Sequence, residues 1–244
     1  MSNRKIVILN PKGGSGKTTI ATNLAAYYAS SGKPPALMDY DSQGSSTRWL
    51  SKRPESAPYI HGIATYENHA GQTRSFALRV PPEIERVIVD TPAAFQKHDL
   101  MDFTRGADKI VIPVLPSAID IHAATRTIAD LLLSAKVSRH ENRLAVVANR
   151  VKSNTIMFRS LMRFLDSLEI PVVAIFRDTQ NYIRTAEAGV GVHEMPASQV
   201  AKDMAQWRRL VNWLENDPVL RVVPKSPMPA RDPRQFVPGK QRLP

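Results

Sequence analysis

The chain has 244 residues, enough for one α/β domain with a substantial core, and its hydrophobic share of 43 % is that of an ordinary globular protein. It has no cysteine, which excludes a disulfide framework, a thiolate metal site and a thiol nucleophile, and which fits a reducing cytoplasm. A formal net charge of +11 points to a polyanionic partner, and no apolar run approaches the length of a membrane span or a secretory leader.

The β-branched run Ile6-Val7-Ile8 predicts a first strand, and apolar spacing over 18–31, with Ile20, Leu24, Ala25 and Tyr28 on one face, predicts a helix that Gly32 ends. Between them lies Lys12-Gly13-Gly14-Ser15-Gly16-Lys17-Thr18-Thr19. Strand, glycine-rich turn and helix start are what a phosphate-binding loop needs, because inward N–H groups and the helix dipole together surround an anion. In such a loop Lys17 reaches the β- and γ-phosphates of a nucleotide and the Thr18 hydroxyl ligates Mg²⁺. A second strand is expected over 36–40, and the acids Asp39 and Asp41 stand at its end, where a parallel sheet carries its ligand crevice.

The next segments are less informative. Residues 45–51 fit a short helix with Trp49 and Leu50 inward, and Ile60 and Ile63 suggest a short strand. The six histidines are scattered and none has ligand spacing. Val87-Ile88-Val89 reads as a buried parallel strand ending in Asp90, followed by Thr91-Pro92. A fourth strong strand falls within 107–115, a long amphipathic helix over 118–135, and a further strand over 144–148 ending at Asn149. A helix over 155–168, a strand over 172–176, a helix ending near Gly189 and a last helix over 200–214 complete the pattern. On that last helix Met204, Trp207, Val211 and Leu214 share one face, and Lys202, Arg208 and Arg209 lie elsewhere. Beyond Asp217 the composition changes: 218–244 holds seven prolines and six basic side chains against one acidic, a surplus of +5. We read 1–217 as one folded domain and 218–244 as a basic, proline-rich, disordered tail. Alternating strands and helices give an α/β, doubly wound, mostly parallel sheet flanked by helices.

The pattern Lys-Gly-Gly-x-Gly-Lys-Thr-Thr, with Pro11 where the common phosphate loop has its first glycine, resembles the deviant Walker A motif of the ParA/MinD family of ATPases. Asp39-x-Asp41-x-Gln43-Gly44 looks like that family's second signature, and Asp90-Thr91-Pro92 like its Walker B position. The resemblance covers about residues 4–215 and implies the P-loop NTPase fold, with ATP and Mg²⁺ as ligands. It implies that Gly13, Gly14, Ser15, Gly16, Lys17, Thr18 and Thr19 hold the phosphates and that Asn149 contacts the adenine. Lys12 then reaches across a dimer interface to the partner's nucleotide. Asp41 positions the attacking water, Asp39 sits near the Mg²⁺ shell, and Asp90 holds Mg²⁺ through a water.

For function the resemblance implies a ParA-type positioning ATPase that forms an ATP-dependent homodimer and binds nucleoid DNA without sequence preference. A ParB-like or cargo-adaptor protein stimulates its hydrolysis, and the cargo is a plasmid, a chromosome region or a protein assembly. It implies a cytoplasmic, nucleoid-associated location. For the DNA surface the sequence offers Arg184, Lys202, Arg208 and Arg209. Two alternatives use the same engine. A MinD-like membrane ATPase needs a C-terminal amphipathic helix, which the prolines of the tail interrupt, so no membrane partner is expected. Metabolic or metallocluster relatives often use cysteines, and none is present.

Overall fold

The computed structural model describes residues 3–67, 78–138 and 141–215. The basic tail, His69 and His140 lie outside the described residues. Seven strands form one sheet: β1 (Arg4–Ile8), β2 (Pro35–Asp39), β3 (His61–Ala64), β4 (Arg86–Asp90), β5 (Lys109–Val114), β6 (Leu144–Val151) and β7 (Val172–Arg177). Their order is β3-β2-β4-β1-β5-β6-β7, and every neighbouring pair is parallel. The connecting helices are α1 (Lys17–Ser30), α2 (Ser45–Ser51), α3 (Lys97–Thr104), α4 (Ala118–Leu133), α5 (Ile156–Ser167), α6 (Asn181–Ala188) and α7 (Ala197–Leu214).

The strands are continuous apolar runs because both faces are covered. Side chains alternate between the two sides: Ile6, Ile8, Leu37, Ile88 and Val111 join one core with Leu24 of α1 and Trp207 of α7. Val7, Met38, Val87, Val89 and Ile110 join the other, with Phe103 of α3, Ile128 of α4 and Leu165 of α5. A one-residue slip of any central strand would exchange its two sets, so the register is firmly held. Emptying one such position, as in Leu24→Ala, costs about 2–5 kcal/mol.

That register positions the chemistry. Ile8 of β1 pairs with Asp90 of β4, and Asp39 of β2 pairs with the same Asp90. The glycine-rich loop therefore leaves β1 beside two carboxylates at the carboxyl edge of the sheet.

Several boundaries differ from the sequence expectation. Helix α3 has no strong periodic signal, since only Leu100, Phe103 and Thr104 are buried; its start is tied by the Gln96 N–H donating to Asp99 (2.8 Å). Strand β6 runs past Ala148 to Val151 through a register shift against β7, with Arg150 at φ 49°. Helix α7 begins at Ala197, directly after Pro196, three residues before the expected start. Helix α6 ends where expected: Gly189 has φ 67°, and a Cβ there would stand 2.5 Å from the backbone of Lys52 and Arg53.

Candidate nucleotide site

The loop between β1 and α1 is fixed from three strands. Asn10, fully buried, donates to the Pro113 carbonyl in β5 (2.6 Å) and accepts the Lys12 N–H (2.8 Å). Asn149, near the end of β6 before Val151, donates to the Ser15 carbonyl (2.8 Å). From the loop after β4, the Ala94 N–H donates to the Pro11 carbonyl (2.9 Å). Glycine is required at position 16, where φ is 96° and a Cβ would collide with the Asn149 amide.

Asn149 also contacts the phosphate loop: one N–H of its amide donates to the Ser15 carbonyl, and its oxygen accepts the Arg150 N–H (3.0 Å). One amide hydrogen and one lone pair remain for a further contact. Asn10 and Ser46 were not singled out, because their partners lie 103 and 44 residues away.

The two lysines differ sharply. Lys17 is 7 % exposed, with its ammonium 3.4 Å from the Lys12 carbonyl. Burial pulls its pKa down, and the charges of Asp90 and Asp41 pull it back only in part. Lys12 is exposed.

The acids also separate. Asp90 is 1 % exposed, and desolvation pushes its pKa up to about 6, with Ser46, Thr18 and the Lys17 charge working against that rise. The Ser46 hydroxyl donates to Oδ2 (2.6 Å), while Oδ1 is buried with no protein partner. Asp39 is equally buried, and burial is the leading cause of its raised pKa. Both its oxygens are taken: Oδ1 accepts the Asp41 N–H (3.1 Å), and Oδ2 accepts the Thr47 N–H (2.9 Å) and hydroxyl (3.0 Å). Asp39 thus shapes the loop that carries Asp41. Asp41 itself is half-buried and accepts the Gln43 N–H (2.9 Å).

These residues fit Mg²⁺. The Asp90 Oδ1 is a buried oxygen without a hydrogen-bond partner, the Thr18 hydroxyl acts on the same carboxylate, and both are hard donors. Among the described residues no cluster of three His, Cys, Asp or Glu side chains could cage a metal. That suits an ion held by one or two protein oxygens with the rest of its shell from phosphates and water.

The four basic residues proposed for DNA are all exposed, Arg184 on α6 and the others on α7. Lys202 and Arg209, seven residues apart, share a face of the helix, and Arg208 is turned about 100° from Arg209. None of the four forms an ion pair with a described residue.

A parallel sheet with a glycine loop, a buried lysine and a buried carboxylate at the adjacent strand end defines a P-loop nucleotide-binding domain. Residues 6–192 match the family described as the CobQ/CobB/MinD/ParA nucleotide binding domain, and the chain belongs to that family. It is 30 % identical over 193 residues to the maintenance of carboxysome distribution protein A of Halothiobacillus neapolitanus, covering 79 % of this chain and 88 % of the relative. The protein of the same name from Gloeobacter kilaueensis is 28 % identical over 218 residues, covering 88 % and 95 %. Among solved structures, a Cyanothece McdA variant in complex with ATP superposes with a TM-score of 0.64 at 17 % identity, covering 89 % of this chain and 98 % of that one, a likeness of fold.

Proposed function

We propose that this chain is an ATPase that closes into a homodimer around ATP and, in that state, binds DNA without sequence preference to position a cargo. The observation that carries the reading is the division between the lysines. Lys17 is buried beside Asp90 and belongs to its own subunit's phosphates, while Lys12, on the same loop, faces outward where a second subunit's nucleotide can meet it. Asp41 stands half-open at the carboxyl edge, suited to orienting the attacking water, while Mg²⁺ held by Thr18 and Asp90 supplies neutralisation of phosphate charge. The basic balance of the chain supports a DNA partner, and the name of the Halothiobacillus relative supports a cargo that is a protein assembly. A partner protein on that cargo stimulating hydrolysis completes the proposal.

The test is Lys12→Ala, examined by light scattering with ATP and Mg²⁺. ATP affinity is retained and the dimer is lost; a normal dimer would remove the cross-interface role. Asp41→Ala, by contrast, accumulates as an ATP-bound dimer, because orienting water contributes to the transition state and little to ground-state binding. We place the folded domain at 1–217. A chain ending at Asp217 keeps ATP-dependent, salt-sensitive DNA binding, and Arg208→Glu with Arg209→Glu removes it. The reverse result assigns the DNA contact to the tail.

A further inference from the structure

Helices α1, α2 and α6 enclose a cleft of about 190 Å³ beside the phosphate loop. Thr18, Thr19, Arg48, Trp49, Lys52 and Tyr182 are among its lining residues; the wall contains no carboxylate and includes neither Lys17 nor Asp90. Pockets for drug-sized ligands start near about 300 Å³, so the space suits a few waters or one small oxyanion rather than a second nucleotide.

The tryptophans set this cleft apart. Trp207 donates its indole N–H to the Tyr182 hydroxyl (3.2 Å), and Trp213 donates to Asn142 (2.7 Å). Trp49 is 4 % exposed, and its indole N–H is buried with no acceptor. A buried donor left unpaired is costly, and a ligand oxygen relieves it. The cations are also underused. Lys52 is exposed, and its ammonium has no partner among the described residues. Arg48 spends two of its N–H groups, on the Gln43 carbonyl and the Ser45 hydroxyl (3.3 Å for the latter), which leaves donors for an anion.

We propose that this cleft, which adjoins the phosphate loop at Thr18 and Thr19, is a second anion site that takes one phosphate-sized oxyanion on Arg48, Lys52 and the Trp49 indole N–H. Because Arg48 also grips the Gln43 carbonyl, two residues from Asp41, an anion bound here stiffens the loop that carries Asp41 and ties it to α1 and α6. The site does not depend on the chain being an ATPase.

The experiment uses the full-length chain with ¹⁵N-labelled tryptophan and inorganic phosphate as the probe, with chloride at matched ionic strength as the reference. Trp49→Phe, which removes the indole N–H together with part of the ring, assigns the resonance. The Trp49 indole signal shifts saturably with phosphate while that of Trp213 stays still, and the same shift persists in Lys17→Ala. In Lys52→Gln, a change at an exposed side chain that leaves the fold alone, the midpoint rises about tenfold, and Arg48→Gln adds to it. A shift that vanishes in Lys17→Ala places the ion in the phosphate loop and overturns the proposal. So does an unmoved Trp49, an equal response to chloride, or an unchanged midpoint in the two cation variants.

Discussion

The two edges of the sheet use the same residue types to opposite effect. At the amino edge, Glu215 receives Arg86 through two hydrogen bonds (3.0 and 2.7 Å) and the Tyr28 hydroxyl (3.0 Å), with Arg4 and Lys33 at 3.7 and 3.8 Å. Burial by itself raises the Glu215 pKa, but those hydrogen bonds and charges outweigh it and hold the carboxyl below its ordinary value. At the carboxyl edge, Asp90 has the Ser46 and Thr18 hydroxyls against its burial, and its pKa is still pushed up to about 6, while the nearby Lys17 is pushed down. Glu215 is satisfied by the fold and so is part of it. Asp90 and Lys17 are left short of partners, which is how a fold prepares a site for phosphate and metal.

The largest effect that tests this contrast is on ligand binding. Lys17→Ala lowers ATP affinity by about 100-fold or more, because a buried ammonium that meets phosphate makes strong charge-assisted bonds. Titration with a fluorescent ATP analogue reads it; affinity within a few-fold of the parent chain would mean that Lys17 is simply a buried structural cation.

The contrast also predicts opposite signs of stability for two similar substitutions. Asp90→Asn removes a carboxylate that pays desolvation with little return, so the ligand-free protein melts at the same temperature or higher while Mg²⁺-dependent turnover falls by about 100-fold. Glu215→Gln weakens a four-partner cluster and destabilises by roughly 1–2 kcal/mol. Calorimetry of the ligand-free chains measures both, and a more stable Glu215→Gln protein would put the amino edge in the same class as the carboxyl edge.

Acid sharpens the same point by a smaller amount. Glu215 has a folded-state pKa below its ordinary value of 4.5, so the unfolded chain takes up its proton first as pH drops. The stabilisation is complete above the ordinary value and is lost as pH falls through the depressed one. Below about pH 4.5 the parent chain therefore loses stability faster than Glu215→Gln, and the two melting curves converge.

The local part of this site was legible. The phosphate loop, its preceding strand and its following helix are contiguous, and Val87-Ile88-Val89 announces a covered strand ending in Asp90. Contacts between distant segments were not. Arg53 and Glu194 form a half-buried two-bond ion pair (3.0 and 2.7 Å) that ties the end of α2 to the turn before α7 across 141 residues, and neither residue has a distinctive neighbourhood in the sequence. Ser46 on Asp90, Asn10 on Pro113 and the cluster on Glu215 have the same character. Helix α3 escaped because it buries three side chains of eight, too few to set a period.

Asn149 gives the finest test, since the two roles open to it differ in selectivity more than in size. A side chain that reads the base distinguishes adenine from guanine through the exocyclic groups. A side chain that acts through the Ser15 carbonyl shapes the loop for any nucleoside triphosphate, because the phosphates are common to all. In the structure one Asn149 N–H donates to the Ser15 carbonyl and the Asn149 oxygen accepts the Arg150 N–H. Asn149→Ala leaves a buried carbonyl unpaired and also frees the space against Gly16, so the loop relaxes and affinity falls about threefold to tenfold. The fall is the same for ATP and for GTP, and their ratio is unchanged. Parallel titrations with the two nucleotides decide it: a loss confined to ATP would return Asn149 to the base, and an equal loss fixes it as the residue through which β6 holds the phosphate loop in shape.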